Sequence, residues 1–205
     1  REGDDRRFEL LWCEPAPSVL AGHELRAWVR GAKKLREGDL LSCGEARVRY
    51  QGVDEVDPRA RVFCVESGDL FQVATSRGSL PLPPYIARPE GITDEDNERY
   101  QTVYARPPGS VAAPTAGLHF TQDLLDQIDH EFVTLHVGPG TFLPMEAEDV
   151  RAHRVGTERF SVSEAAAAKI DSARRDARPI IAVGTTTTRA LESVARGHGG
   201  RIVPG

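Results

Sequence analysis

Cysteine is scarce in this 205-residue sequence: only Cys13, Cys43 and Cys64 occur. Their number is odd, none forms a CxxC pair, and each lies in an apolar, strand-like run. Free thiols packed in a reducing compartment are therefore expected, rather than a disulfide or a zinc site. No stretch of 18 apolar residues exists, which excludes a membrane-spanning helix. No secretory leader is visible at the start, so a cytoplasmic location is expected. Positive charge is not in excess either. Lys and Arg number 26 against 31 Asp and Glu, a net charge of −5. That argues against a protein whose main task is to coat nucleic acid, although one basic stripe could still hold a few phosphates. Neither GxxxxGK nor GxGxxG is found, so a Walker loop and a dinucleotide fingerprint are both missing. HxH and HExxH are missing too, and no metal site is expected. The sequence opens without an initiator Met and closes on Val203-Pro204-Gly205, which reads as mid-loop. A piece of a longer chain is the expectation.

What is present suffices for a core: 40% of residues are apolar and 28% charged. At roughly 100–200 residues per domain, the length allows one large or two small domains. Residues 1–80 read as four to six short strands with no convincing helix. Phe8, Leu10 and Trp12 share one parity, as do Leu25, Ala27 and Val29, and Arg47 to Tyr50 alternates. Turn signals at Glu37-Gly38-Asp39, Cys43-Gly44, Val53 to Pro58 and Ser67-Gly68-Asp69 separate the runs. This spacing predicts a small antiparallel β-barrel domain over residues 1–80. Pro81-Leu82-Pro83-Pro84-Tyr85 favours extended backbone and marks a boundary.

Residues 81–205 change period. A helix is predicted over Asp94 to Tyr104, a second after Thr121 as N-cap, and a strand over Phe132 to Val137. Ser163 should cap an alanine-rich helix, and Pro179 to Val183 reads as a buried strand running into another helix. Strands alternating with helices predict part of an α/β domain, so the whole is a two-domain α+β chain.

Three stretches carry residue types suited to chemistry. In Gly109 to Thr121, small residues let a ligand approach backbone N–H groups beside a helix start. Close packing explains its glycines and alanines better, whereas Thr115 and His119 beside a helix start favour ligand binding. In Thr134 to Phe142, a strand delivers His136 to its end, before Gly138-Pro139-Gly140-Thr141. A histidine there can act as acid or base, or can simply be hydrogen-bonded within the sheet. In Ala182 to Ser193, Gly184, Thr185 and Thr186 precede a helix and could hold a phosphate or carboxylate; an ordinary capped turn reads the same way. His153 and Glu158 flank a loop and could orient one another. Two basic clusters, one at Arg30, Lys33, Lys34 and Arg36 and one at Arg174, Arg175 and Arg178, read as solvated faces unless the partner is a nucleic acid.

Taken in order, Pro81 to Ile86, Asp96 with Glu98 to Ala105, Gly109 to Thr121, Thr134 to Phe142 and Ala182 to Ser193 make the sequence resemble the S-adenosylmethionine:tRNA ribosyltransferase-isomerase family of queuosine biosynthesis. The likeness is dense over residues 81–194 and looser over 6–75. It implies an α/β catalytic domain with an inserted β-barrel. It also implies transfer of the ribosyl part of S-adenosylmethionine to 7-aminomethyl-7-deazaguanine in the tRNA anticodon. The ribose rearranges to an epoxycyclopentane, giving epoxyqueuosine, as adenine and methionine leave. S-adenosylmethionine is then a co-substrate, no other cofactor is needed, and the tRNA anticodon stem-loop is the partner of a monomer. His119, His136 and His153 become the acid/base candidates, with Glu158 as a further catalytic residue. Tyr100, Tyr104 and Arg106 are expected at the substrate, with Thr115 and Gly117 from the first loop. Gly138, Gly140 and Thr141 come from the second, and Gly184, Thr185, Thr186 and Arg189 from the third. One departure stands out: Gly156 in His153-Arg154-Val155-Gly156-Thr157-Glu158 replaces the second His of the family's His-x-Met-His-Ser-Glu-like segment. The family's N-terminal segment and C-terminal third are not in the sequence, so an incomplete site is expected. A non-catalytic RNA-binding module and a metal-dependent hydrolase are the competing readings. The acidic charge and the three small-residue loops disfavour the first.

Overall fold

The computed structural model describes residues 6–14, 20–83, 85–143, 149 and 156–205. They fall into two compact units, Arg1–Pro81 and Leu82–Gly205. Five strands build the first: β1 (Glu9–Trp12), β2 (Glu24–Arg30), β3 (Leu40–Cys43), β4 (Ala46–Val53) and β5 (Ala60–Ser67). They form one antiparallel sheet in the order β1-β2-β5-β4-β3. Cys43 faces Ala46 across a two-residue turn in which Gly44 has φ 57, a conformation that favours glycine. Alternate residues on one face make the core: Leu25, Ala27, Val48, Tyr50, Phe63 and Val65, with Leu10, Trp12 and Val29 packed against them. Phe63, Val48 and Val65 are fully buried, each contributing roughly 1.5–3 kcal/mol.

The edge strands β1 and β3 do not pair among the described residues, yet both line one cleft of about 360 Å³. The sheet is thus a curled half-barrel, a coarser form of the closed barrel expected. A helix that the sequence reading did not anticipate follows: α1 (Leu70–Arg77), whose first turn is held by Asp69 accepting from the Phe71 and Gln72 amides. The cap explains its formation better than its composition does, since none of its residues is buried.

The second unit is mixed α/β. It contains α2 (Asp94–Arg99), α3 (Gln122–Leu125), β6 (Val133–His136), β7 (Arg159–Val162), α4 (Glu164–Arg175) and α5 (Gly184–Gly197). Strands β6 and β7 pair antiparallel, with His136 opposite Arg159. Val162 of β7 packs with Ala166 and Ala167 of α4 and Val194 of α5, the small alanines allowing close approach of helix to sheet. Thr121 and Ser163 cap their helices as predicted, through the amides of Leu124 and Ala166. The helix predicted over Asp94 to Tyr104 ends at Arg99 instead. Its start is fixed by a capping box between Thr93 and Asp96, with Arg88 forked onto the Asp96 carboxylate. The buried strand predicted over Pro179 to Val183 is not formed. The segment has no ladder partner among the described residues, and Ile181 is 83% exposed. Gly205, read from sequence as mid-loop, exchanges two backbone hydrogen bonds with Val162 and so continues the β7 ladder.

Candidate functional site

The first small-residue loop is fastened to the end of β6. The Val111 amide donates to the Val137 carbonyl at 2.8 Å, and the Ser110 hydroxyl both accepts from the Val137 amide and donates to the Leu135 carbonyl. Gly109, at φ 137, lies flat against the His136 ring, where a methyl group would sit 2.5 Å from Nδ1. Only glycine permits both that conformation and that contact. Nδ1 is buried without a hydrogen-bond partner. Burial, followed by the charge of Arg159 across the ladder, lowers the proton affinity of His136. A neutral imidazole at the end of a strand can take up a proton during chemistry.

The second loop is joined to α5 through Glu158. The Glu158 carboxylate accepts from the Gly138 amide at 2.9 Å through Oε1, and its Oε2 is paired with the Arg189 guanidinium. Arg189 also donates to the Gly156 carbonyl at 2.9 Å. The Glu158 side chain is 7% exposed and that of Arg189 40%, so the pair has a sheltered anion and a half-open cation. This carboxylate holds together the β6 end, the start of β7 and the second turn of α5.

The first and third loops meet at the start of α5. A short 3-10 turn at Thr115–Gly117 packs against this helix, and a methyl at Gly184 (φ 85) would lie 3.1 Å from the Ala116 Cβ. Val183 precedes the helix in extended conformation, and no side chain caps the amides that follow. The first turn of a helix has N–H groups without intrahelical partners and favours an anion. Thr185 is exposed there and Thr186 half-buried. The three loops are therefore neighbours, with Gly109, Gly138, Gly184, His136 and an uncapped helix start among them.

The remaining predicted residues are distributed around this centre. Tyr104 closes on Gly117, where a methyl would fall 1.9 Å from its hydroxyl oxygen, and stacks on Phe132 at 5.1 Å. Tyr100 is buried, and burial raises its phenol above the ordinary value. Arg106 is exposed and donates to the carbonyls of Val103 and Ala105, within its own loop. His119 is exposed and stacks on Phe120 at 4.5 Å. The Thr141 hydroxyl donates to the Gly138 carbonyl, and Gly140 approaches Gly156. His153 lies outside the described residues. Among the described residues, no group of three or more metal-ligating side chains occurs. Sequence reasoning missed Ser110, which staples the first loop to β6, and Arg159, whose place opposite His136 emerges only from the strand register.

Comparison with known proteins places this geometry in context. Residues 2–202 match the family model described as "Queuosine biosynthesis protein". A relative from Anaeromyxobacter dehalogenans (strain 2CP-C), named S-adenosylmethionine:tRNA ribosyltransferase-isomerase, is 46% identical over 205 residues, covering 97% of this chain and 58% of its own length. A relative of the same name from Thermosynechococcus vestitus is also 46% identical, over 193 residues, covering 90% of this chain and 52% of its own length. The chain thus spans a little over half the length of these curated relatives. With the family model matched along nearly all of its residues, the chain belongs to the queuosine biosynthesis protein family.

Proposed function

We propose that this chain is part of an S-adenosylmethionine-dependent tRNA ribosyltransferase-isomerase. It would move the ribosyl group of S-adenosylmethionine onto 7-aminomethyl-7-deazaguanine in a tRNA anticodon, forming epoxyqueuosine and releasing adenine and methionine. The observation that carries this reading is the meeting of the three loops at His136, Gly138 and the start of α5. The names of the relatives point to the same reaction class.

The residue types suit that chemistry. A sulfonium acidifies the carbon attached to it, so a positioned base can remove a proton there, and departure of adenine is assisted by an acid near its ring nitrogens. His136, whose proton affinity is lowered by burial and by Arg159, is the first candidate for the base. His119 and His153 are the further acid/base candidates. The uncapped amides after Gly184 suit the methionine carboxylate or an RNA phosphate. Glu158 and Arg189 act by holding the second loop on α5. We read the first unit as a barrel-type domain, the second as part of the α/β catalytic domain, and the protein as a cytoplasmic monomer. No helix among the described residues is long and apolar enough to cross a membrane.

The test is incubation of the full-length protein with labelled S-adenosylmethionine and tRNA carrying the deazaguanine. Equimolar adenine and methionine, released only when that tRNA is present, is the expected result. RNA binding without release would favour the non-catalytic module instead. Full activity after alanine replacement of His119, His136 and His153 in turn would remove the acid/base assignment.

A further inference from the structure

We infer that the first unit carries an RNA-phosphate-binding face made by Arg7, Lys33, Lys34 and Arg36, at the end of the sheet where β1 begins and β2 leaves for β3. This rests on the tRNA reading above and adds where the RNA backbone lies.

Two segments distant in sequence, residues 6–9 and 30–39, converge there. Glu9 at the start of β1 faces Arg30 at the end of β2. Arg6 reaches across to donate to the Lys34 carbonyl at 2.6 Å and lies 3.8 Å from Asp39. The Asp39 carboxylate accepts from the Arg36 amide at 3.0 Å, closing the turn on itself. Lys33 and Lys34 belong to a 3-10 turn at Ala32–Lys34 between these contacts. The sequence cluster of four cations thereby becomes a surface cluster of six, with Arg6 and Arg7 added, in a chain whose net charge is −5.

Two of the three local carboxylates are already engaged: Glu9 pairs with Arg30 at 3.0 Å, and Asp39 with Arg6 and the Arg36 amide, while Glu37 is exposed beside Arg36. Arg7, Lys33, Lys34 and Arg36 are exposed and have no carboxylate partner among the described residues. The other basic cluster contrasts with this. Arg175 is paired with Asp171, Arg178 with Asp176, and Arg174 donates to the Gly200 carbonyl. Four exposed cations without a carboxylate partner, carried on two adjoining segments, gain from an external polyanion, which is the electrostatic signature of a phosphate-tracking surface. Lipid headgroups are a poorer match. A membrane-seated surface offers exposed apolar residues to insert, whereas Phe8 is half-buried here and Leu35 packs on the core.

The experiment measures binding of the 205-residue chain to a tRNA anticodon stem-loop by fluorescence anisotropy across a salt series. Neutralising the face (Arg7→Ala, Lys33→Ala, Lys34→Ala and Arg36→Ala together) should weaken binding roughly tenfold or more at low salt. It should also make the log–log salt slope shallower by about 3, as expected for loss of four phosphate contacts. A charge-conserving variant (Arg7→Lys, Lys33→Arg, Lys34→Arg, Arg36→Lys) should bind like the parent, which separates loss of charge from loss of fold. Neutralising Arg174, Arg175 and Arg178 should change neither quantity. Unchanged affinity and slope in the neutralised variant would overturn the assignment while leaving the tRNA reading intact. So would failure of the parent chain to bind RNA at low salt, or binding to phosphatidylserine vesicles in place of RNA. Face-dependent RNA binding by a full-length protein that releases no adenine would uphold the assignment and sink the catalytic reading.

Discussion

Replacing Glu158 with alanine is the perturbation with the largest calculable effect on the site. The carboxylate accepts a charge-assisted hydrogen bond from the Gly138 amide at 2.9 Å, and such bonds contribute about 1.5–3 kcal/mol. Its other oxygen pairs with Arg189, which is 40% exposed and therefore screened, so that contact adds about 0.5–1 kcal/mol. Glu158→Ala should lower the stability of the second unit by about 2–4 kcal/mol, a large share of the roughly 5–15 kcal/mol of an ordinary domain. Glu158→Gln keeps an acceptor for Gly138 and loses only the charge, so it should cost about half as much. Urea denaturation is the assay, with the midpoint shifting at constant slope. Trp12 and Trp28 both lie in the first unit, so the second is best followed by the far-UV circular dichroism of α4 and α5. A Glu158→Ala variant within about 0.5 kcal/mol of the parent would refute the claim that this carboxylate holds the loops together. Equal loss in Glu158→Gln and Glu158→Ala would refute the division between amide and guanidinium.

Two further outcomes follow from the same contacts. His136 has a lowered proton affinity, from burial first and Arg159 second, so the unfolded chain takes up this proton before the folded one. Its contribution is complete above the ordinary histidine value of about 6.5 and is lost as pH falls from there through the folded-state value. The stability difference between about pH 7.5 and about pH 5.5 should therefore shrink in His136→Asn, and an unchanged difference would refute the burial argument. Gly117→Ala would put a methyl 1.9 Å from the Tyr104 hydroxyl oxygen and push that ring off Phe132. A cost of about 1–3 kcal/mol is expected in thermal melts, partly recovered by adding Tyr104→Phe; an unaltered melting temperature would contradict it.

The half-barrel was legible because a half-buried sheet writes itself as alternation. Leu25 and Ala27 point into the core with Arg26 between them, and Val48 and Tyr50 alternate with the exposed Arg47 and half-exposed Arg49. Helix α1 was not legible because its signal is a single cap, Asp69, embedded in what reads as a Ser67-Gly68-Asp69 turn. Pro179 to Val183 misled for the opposite reason. Apolar residues announce burial only when a ladder neighbour exists to cover them, and here Ile180, Ile181 and Val183 remain exposed. The site was half legible. Its glycines, threonines and His136 were visible as local patterns. The Glu158 bridge joins residues 20 and 31 positions apart, and no period or motif encodes such a link. The close contact of Gly109 with His136 likewise depends on the Ser110 staple, which looked like one more small residue in a loop.

The central claim is that the three loops form one S-adenosylmethionine-binding surface. Hydrogen–deuterium exchange of the chain with and without S-adenosylmethionine tests it most directly. Slowed exchange at the amides of residues 109–117, 138–142 and 184–189 together is the predicted result. Ligand-induced protection in only one of these stretches, or in none, would contradict it.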